Sequence, residues 1–495
     1  MEALDWLVIG VFFLALIGII VWVVRQKQND SADYFLGGRD ATWLAIGASI
    51  FASNIGSEHL IGLAGAGASS GMAMAHWEIQ GWMILILGWV FVPFYTRSMV
   101  YTMPEFLERR YNPQSRTILS VISLVSYVLT KVAVTVYAGG LVFQQVFGIK
   151  ELWGIDFFWI AAIGLVVLTA LYTIFGGMKS VLYTSVLQTP ILLLGSLIIL
   201  VLGFKELGGW DEMMRVCGAV TVNDYGDTMT NLIRSNDDAN FPWLGALIGS
   251  AIIGFWYWCT DQFIVQRVLS GKNEMEARRG TIFGAYLKLL PVFLFLIPGM
   301  IAFALHQKYI GAGGEGFLPM LENGTANADA AFPTLVAKLL PAGVKGLVVC
   351  GILAALMSSL ASLFNSSAML FTIDFYKRFR PQTSEKKLVG IGQVATVVIV
   401  ILGILWIPIM RSVGDVLYTY LQDVQSVLAP GIAAAFLLGI CWKRTSAQGG
   451  MWGLISGMVI GLTRLGAKVY YSNAGEVADS TFKYLFYDMN WLFFC

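Results

Sequence analysis

Long apolar segments constrain the fold of this chain more than any other feature of its sequence. Predominantly apolar windows recur along its 495 residues, and about 20 such residues are enough for a helix to cross the hydrocarbon core of a bilayer. Apolar residues make up 57% of the chain and charged residues 13%, which is outside the usual range of soluble domains. Because hydrocarbon offers no partner to open backbone groups, such segments are stable as helices. The sequence therefore predicts an all-α, polytopic membrane protein.

Basic residues in the connections predict how the spans are oriented. Arg25 follows the first span, Arg97 and Arg109 follow the third, and every second connection after that is also basic. Because basic loops remain in the cytoplasm, we expect these connections inside and the N-terminus outside. The predicted spans are 5–24, 41–68, 77–96, 117–148, 156–175, 180–203, 242–268, 280–305, 342–375, 388–410, 412–440 and 448–466.

The predicted orientations divide the chain into two groups of helices. Setting the first span aside, spans two to six and spans seven to eleven form groups of five with opposite orientations. Such inverted repeats are typical of secondary transporters, whose ligands lie near the bilayer midplane beside interrupted helices. We predict an N-terminal extra helix and linker at 1–40, a first repeat at 41–203, an external loop at 204–241, a second repeat at 242–440, and a C-terminal helix and tail at 441–495.

The segment from Gly47 to Gly67, GASIFASNIGSEHLIGLAGAG, is the strongest candidate for a site. Its apolar pattern is interrupted by SNIGSE, and an interrupted helix leaves backbone groups unpaired. At membrane depth this is tolerated only beside protein, water or a ligand. We therefore expect the carbonyl groups of Ala52 and Ile55 to be available to a ligand.

A second polar segment, AALMSSLASLFNSS from Ala354 to Ser367, lies in a later span. The hydroxyls of Ser358 and Ser359, together with the freed carbonyls of the first break, would form a cage of neutral oxygens. Hard cations prefer oxygen ligands, so the two segments predict a site for a small monovalent cation. Close helix packing is the alternative role for the serines.

A second break is expected in the seventh span, near Gly249 to Thr260, where a WYWCTD cluster interrupts the aliphatic pattern. Aromatic faces such as those of Trp256, Tyr257 and Trp258 pack on the apolar faces of sugars, while amides and carboxylates bind sugar hydroxyls. Anchoring in an interfacial aromatic belt is the alternative, although it suits residues at the ends of spans better.

Strongly polar residues at membrane depth are costly and are therefore functional candidates by default. Glu78 and Asp261 could instead lie at the membrane edge, and Lys131 could extend its ammonium group to the interface. Lys288 lies well inside its span, which makes a purely interfacial role harder to maintain. The candidates are His59, Glu78, Lys131, Asp261, Lys288 and Gln422.

Several functional classes find no support in the sequence. We find no pairing of nucleophile and base, no phosphate-binding loop and no metal-binding spacing, so we expect neither an enzyme nor an ATP-driven pump. A net charge of +1 gives no reason to expect nucleic acid. The five cysteines are scattered, which is typical of packing residues. The oligomeric state stays open.

Several motifs resemble the sodium/glucose cotransporters among the solute:sodium symporters, over most of the chain. The forms WYWCTDQ and ASNIGSEH resemble the sugar-carrying branch of that family. The resemblance implies a leucine-transporter-like fold, a 5+5 inverted repeat with an extra N-terminal helix. The motifs are DYFLGGRDATWLAIGASIFASNIGSEHLIGLAGAG, TMPEFLERRY, LYTIFGGMKSVLYTSVLQT, WYWCTDQFIVQR, GAYLKLLP, ALMSSLASLFNSSAMLFTIDFY and APGIAAAFLLGICWKR.

The resemblance also implies which residues bind each ligand. Tyr257 would be an inner gate beneath the sugar, with Trp258 next to it. The implied sodium site consists of the carbonyls of Ala52, Ile55 and Ala355 and the hydroxyls of Ser358 and Ser359. The remaining implied sugar-binding residues are Asn54, His59, Glu78, Lys288 and Gln422.

Three positions depart from the family's pattern. Ser185 stands where the family has an acidic residue associated with a second sodium, so we expect one sodium per sugar. Gly254 stands where relatives place a polar contact to the sugar, and Gly81 also lacks a side chain. These two glycines leave the identity of the sugar open.

The function expected from these features is sodium-coupled uptake of a monosaccharide, glucose-like or galactose-like, by alternating access at the plasma membrane. The expected ligands are the co-transported Na+ and the sugar, in a lipid bilayer. A sodium-coupled transporter of inositol or sialic acid is one alternative. A sugar-gated sensor or sodium channel is another.

Overall fold

The computed structural model describes residues 1–26, 28, 30–56, 58–321, 324–412, 417–473 and 480–494. Most of these residues are helical. The strands in the described residues are Glu151–Leu152 and Ile155–Asp156, which pair antiparallel in a short hairpin.

The helices of the first half follow one another closely. Among the described residues there are four 3₁₀ segments, three of them in this half: Gly37–Arg39, Gly71–Ala75, Gln80–Trp82 and Ala328–Ala330. In chain order, α1 to α12 are Ala3–Arg25, Ser31–Leu36, Trp43–Asn54, Ala64–Ser70, His76–Ile79, Met83–Ile86, Val92–Ser98, Met103–Arg110, Pro113–Ser126, Ala133–Phe147, Phe157–Leu207 and Trp210–Gly218.

The helices of the second half include the long, buried α18. In chain order, α13 to α24 are Trp243–Gly254, Gln262–Leu269, Glu274–Leu287, Ile297–Gly311, Ala331–Leu339, Val344–Met369, Lys377–Phe379, Glu385–Ser412, Leu417–Cys441, Ala447–Asn473, Thr481–Lys483 and Trp491–Phe494. Segments of π-helix join or extend several helices at Glu58–Leu63, Leu87–Phe91, Tyr127–Val132, Phe255–Thr260, Val292–Leu296, Leu370–Tyr376 and Tyr484–Asp488.

Membrane-spanning helices account for most of the fold. Among the described residues, eight helical stretches are long and apolar enough to cross a bilayer. The predicted class, an all-α polytopic membrane protein, is therefore confirmed. The stretches are Ala3–Arg25, His59–Ser98, Pro113–Gln144, Phe157–Leu207, Trp243–Thr260, Glu274–Gly311, Val344–Phe379 and Glu385–Pro408.

One pair of predicted spans is joined into a single element. The segments 156–175 and 180–203 both belong to α11, which turns at Gly177 without an intervening loop. Gly177 adopts a φ of 53°, and a Cβ there would collide with the carbonyl of Tyr34. Glycine provides the positive φ and the close approach together, so the chain changes direction inside the helix.

The first predicted break lies where the sequence placed it. Helix α3 ends at Asn54, Ile55 is extended with φ −80° and ψ 99°, and helical structure resumes at Glu58. After the break, α4 approaches α16 closely, because a Cβ at Gly299 would overlap the carbonyl of Ala64. This contact between backbones fixes the segment that follows the break.

The second break lies just beyond the predicted range 249–260. The glycines do not interrupt the helix, and the π-helical segment continues it to Thr260. Asp261 is extended with φ −73° and ψ 129°, and its carboxylate accepts a hydrogen bond from the amide of Phe263. An aspartate in this position caps the next helix, so the capping residue rather than glycine sets the break.

Candidate functional site

The first broken helix contacts α18 at its break. Ser359 donates a hydrogen bond from Oγ to the carbonyl oxygen of Ser53 at 2.5 Å. Both residues are buried, as are Ala52 and Ile55 on either side of Ser53. Two segments separated by about three hundred residues in the sequence therefore meet where the helix is interrupted. This is the pairing of the first break with the serine-rich segment that the sequence predicted.

A line of hydroxyl groups extends from this contact into the protein. Ser358 Oγ lies 3.2 Å from Ser185 Oγ, which in turn lies 3.4 Å from Ser49 Oγ. Ala355, one turn before Ser358 on α18, is also buried. The described groups around the break are carbonyl and hydroxyl oxygens, the ligand type that a hard monovalent cation prefers. The assignment of Ala52, Ile55, Ala355, Ser358 and Ser359 to sodium stays a prediction.

Three predicted polar residues form one buried cluster. Lys288 Nζ lies 2.6 Å from Glu78 Oε2 and 2.7 Å from His59 Nε2, and His59 Nε2 lies 3.1 Å from Glu78 Oε1. The side chains of Glu78 and Lys288 are 3% and 4% exposed. The charge of Glu78 is therefore enclosed by protein and paired with Lys288. A buried ion pair of this kind holds both charged groups in defined positions for a ligand.

Aromatic residues border the cluster. Lys288 Nζ lies 5.6 Å from the centre of the Trp258 ring, within the range of a cation–π contact. Tyr257 packs edge to face on Trp258, with ring centres 4.9 Å apart. Asn54 Nδ2 donates a hydrogen bond to the hydroxyl of Tyr257 at 2.9 Å. The predicted gate residue is thus tied to the last residue before the first break.

Several polar atoms here have no hydrogen-bond partner among the described residues. They are Asn54 Oδ1, His59 Nδ1 and Gln80 Oε1, and all three are buried. Leaving such a group unsatisfied costs about 1–3 kcal/mol. A ligand that carries several hydroxyl groups would satisfy them.

At both glycines that depart from the family's pattern, a neighbouring side chain occupies the space that a Cβ would take. A Cβ at Gly81 would lie 2.7 Å from Cγ of Lys288, so the absent side chain makes room for the lysine stem. A Cβ at Gly254 would lie 2.9 Å from Oε1 of Gln80. Gln80 therefore places a polar group where Gly254 has none, a feature that the sequence analysis missed.

One predicted sugar residue cannot be placed in detail. Gln422 belongs to α21, Leu417–Cys441, but its side chain lies outside the described part of the structure. Its role stays a prediction.

A second ion pair lies near the gate and was not foreseen from the sequence. Lys131 Nζ lies 2.6 Å from Asp261 Oδ2, and the hydroxyl of Tyr127 also donates to Asp261. The side chains of Lys131 and Asp261 are 11% and 3% exposed, so both charged groups are held by the protein interior and not at its surface. The ammonium also lies 4.7 Å from the centre of the Tyr257 ring. The charge of each residue within an apolar span marked it as a candidate, but two residues 130 positions apart cannot be paired from the sequence alone.

A broken first helix, a serine-rich partner helix and a buried polar cluster are the features of one class, the sodium-coupled secondary transporters of leucine-transporter fold. Similarity to solved structures supports the fold. A Na+-coupled sialic acid symporter, solved in a substrate-bound outward-open state, superimposes with a TM-score of 0.77 at 21% identity, covering 100% of this chain and 94% of that one. MhsT in complex with L-phenylalanine gives a TM-score of 0.55 at 13% identity, with coverages of 85% and 96%.

Sequence comparison identifies the family. The model of the sodium:solute symporter family matches residues 34–457, and the chain belongs to that family. Human sodium/myo-inositol cotransporter 2 is 38% identical over 479 residues, which cover 94% of this chain and 70% of that protein. Rat sodium/glucose cotransporter 2 is 38% identical, with coverages of 99% and 75%, and zebrafish sodium/glucose cotransporter 4 is 36% identical, with coverages of 100% and 76%.

The family and fold expected from the sequence motifs are therefore confirmed. The chain is a multi-pass membrane protein and a sodium-coupled solute symporter, with Na+ as the co-transported ion. The residue bounds of the two repeats stay a prediction.

Proposed function

We propose that the protein carries a monosaccharide, glucose-like or galactose-like, together with one sodium ion by alternating access. The observation that carries this proposal is the buried cluster of His59, Glu78 and Lys288 against Trp258, next to a helix broken at Ile55. The aromatic face suits the apolar side of a sugar ring, and the charged and amide groups suit its hydroxyls. The relatives with sugar and polyol names support the same class of substrate.

Sodium acts first in this scheme, at the contact between α3 and α18. The hydroxyl of Ser359 already reaches the carbonyl of Ser53 at 2.5 Å, so a small cation needs only modest rearrangement to bind between the two helices. Its binding would hold the broken helix against α18 in the outward-open state. A ligand shifts such an equilibrium only by its differential affinity for the two states, and the cation supplies it by bridging both helices.

Sugar binding follows in the adjacent pocket. A hydroxyl that accepts or donates at Asn54 Oδ1 and His59 Nδ1 would satisfy two buried groups that lack partners in the described structure. It would also compete for the hydrogen bond between Asn54 and Tyr257, which now measures 2.9 Å. Because Tyr257 is the proposed gate, rearrangement of this hydrogen bond would couple sugar binding directly to gate movement.

The driving force is sufficient for useful accumulation. A monovalent cation crossing about 100 mV releases roughly 2.3 kcal/mol, and a tenfold concentration ratio adds about 1.4 kcal/mol. One sodium ion per sugar would therefore support accumulation on the order of a few hundredfold.

Location and chemistry complete the proposal. We place the protein in the plasma membrane, as expected of a carrier for uptake, and its basic connections favour an N-terminus outside. It moves its substrate without altering it, so it is not an enzyme. Nucleic acid is not among its proposed partners.

A cyclic polyol such as myo-inositol is the second candidate substrate. The observation that favours a polyol is the position of Gln80, whose side-chain oxygen lies beside Gly254. Gly254 departs from the family's pattern and directly precedes the aromatic cluster, so Gln80 offers a polar contact there that the family's pattern does not include. Competition by a panel of hexoses and polyols against labelled glucose separates the two substrates. A sensor or channel is a further alternative, and accumulation against a gradient excludes it.

Single substitutions test whether the proposed sodium site and the proposed sugar site are distinct. Ser359→Ala should reduce the apparent sodium affinity more than the sugar selectivity, since it removes a hydroxyl next to the break. Glu78→Ala and Gln422→Ala should do the reverse. Uptake by reconstituted protein, measured at varied sodium and varied sugar, gives both affinities. An equal loss of both in all three variants, with folding intact, would refute the assignment.

A further inference from the structure

Arg267 is a buried cation that has no carboxylate partner among the residues that the structure describes. It lies in the last turn of α14 and is 1% exposed. Its Nε donates a hydrogen bond to Ser49 Oγ at 3.1 Å, and within the described residues its guanidinium forms no ion pair. Charged groups at membrane depth are costly and are normally paired. The charge of Arg267 therefore requires an explanation.

The nearby carboxylate of Asp261 does not provide it. Asp261, six residues earlier, already binds Lys131 at 2.6 Å and the hydroxyl of Tyr127. Lys131, Asp261 and Arg267 together carry one negative and two positive charges. The ring of Phe263, 4.8 Å from the guanidinium, and the carbonyls at the end of α14 contribute only partial charges. Among these three described groups, one positive charge therefore has no carboxylate of its own.

Two buried hydroxyl groups continue from the Nε atom of Arg267. Ser49 Oγ accepts from Arg267, and Ser185 Oγ lies 3.4 Å further on. Both serines are fully buried. Ser185 now donates to the carbonyl of Val181 at 2.6 Å, and a hydroxyl rotates freely enough to donate elsewhere. The guanidinium, with the hydroxyl of Ser49 in contact and that of Ser185 next to Ser49, offers a suitable set of donors for an anion.

The residue at position 185 shows what the interior is missing. Where the family's pattern has an acidic side chain, this chain has Ser185, two hydrogen-bond steps from the guanidinium. A carboxylate there would balance Arg267. Without it, the described residues offer Arg267 no carboxylate of its own, and a small anion from solution would supply the balancing charge among the buried Ser49, Ser185 and Arg267.

We propose that Arg267, Ser49 and Ser185 form a binding site for a small monovalent anion of the halide class. Because Ser185 Oγ lies 3.2 Å from Ser358 Oγ, the bound anion adjoins the proposed sodium site. Opposite charges at this separation stabilise each other, so chloride raises the affinity for sodium. This second effect rests on the proposed function, whereas the anion site itself does not.

Thermal unfolding of the purified protein tests the anion site without sodium or sugar. Choline chloride is compared with choline gluconate at equal ionic strength. We expect chloride and bromide to raise the unfolding temperature in a saturable way, because a ligand that binds only the folded state stabilises it. The same unfolding temperature in chloride and gluconate overturns the proposal.

Two variants of nearly equal shape separate charge from size. Ser185→Asp places a fixed carboxylate near Arg267, so the half-saturating chloride concentration should rise about tenfold or more. Ser185→Asn has a similar volume without the charge and should keep a chloride response. Equal chloride responses in the two variants would contradict the anion site.

Sodium-dependent uptake in chloride and in gluconate then tests the coupling. We expect the apparent sodium affinity of the unmodified protein to fall about tenfold in gluconate and that of Ser185→Asp to change little. Loss of uptake in both salts, with chloride still stabilising the purified protein, would refute the proposed function and leave the anion site standing. Chloride stabilisation combined with an unchanged sodium affinity would refute the coupling alone.

Discussion

The ion pair between Glu78 and Lys288 allows the proposed sugar pocket to be tested quantitatively. Its charged atoms lie 2.6 Å apart, and the two side chains are 3% and 4% exposed. Removing one partner of a buried pair leaves the other charge uncompensated, which costs about 3–5 kcal/mol. Glu78→Gln and Lys288→Gln should each lower the free energy of unfolding by about that amount, because each variant leaves one buried charge without its partner.

The double variant gives the sharper result. Glu78→Gln combined with Lys288→Gln removes both charges, so its cost should be well below the sum of the single costs, with a coupling energy of about 3 kcal/mol. Unfolding by denaturant in a fixed detergent measures these free energies. The exposed pair of Arg97 and Glu274, 3.5 Å apart with the arginine 76% exposed, is the control, and its cycle should give less than about 1 kcal/mol.

Transport separates structure from function in the same variants. The double variant should fold and yet fail to bind or carry sugar, since the groups that orient the hydroxyls are gone. Additive losses of stability in the buried cycle, or sugar uptake by the double variant at the rate of the unmodified protein, would refute the reasoning.

Three further predictions concern single residues. Gly81→Ala should displace Lys288, whose Cγ would lie 2.7 Å from the new methyl group, and should weaken sugar affinity at least tenfold, about 1.4 kcal/mol, with sodium affinity unchanged in binding assays. Gln80→Ala should change the ratio of hexose to polyol uptake more than total uptake, which competition assays measure. Burial raises the pKa of Asp329 from 3.8 to about 6. The unfolded chain therefore loses this proton at a lower pH than the folded protein does. The free energy of unfolding should fall by up to about 2 kcal/mol as pH rises from 3.8 to about 6. Asp329→Asn should remove that decline in unfolding measurements across this pH range.

The sequence predicted the first break better than the second. SNIGSE interrupts an apolar pattern with residues that favour turns, and the chain opens at Ile55 as expected. In the seventh span the glycines led us to predict the break too early in the sequence. Gln80 occupies the space beside Gly254, and the helix continues past it to Thr260. A glycine in a packed helix marks close approach as often as it marks a break, and only tertiary contacts distinguish the two.

The composition of the pocket was predictable, but its ion pairs were predictable only in part. The cost of burying charge identified Glu78, Lys288, Lys131 and Asp261 as candidates, and the family resemblance grouped the first two. Nothing local to the sequence indicates that Lys131 faces Asp261, because the two belong to different helices and are 130 positions apart. Partner choice depends on how helices pack, which the periodicity of one helix does not specify.

Proteoliposome uptake of labelled glucose under an inward sodium gradient tests the central claim most directly, with charge movement recorded in parallel. We predict accumulation above the external concentration that collapses when potassium replaces sodium, with about one charge entering per sugar. Uptake that never exceeds equilibrium, or that proceeds equally well in potassium, would contradict sodium-coupled sugar symport.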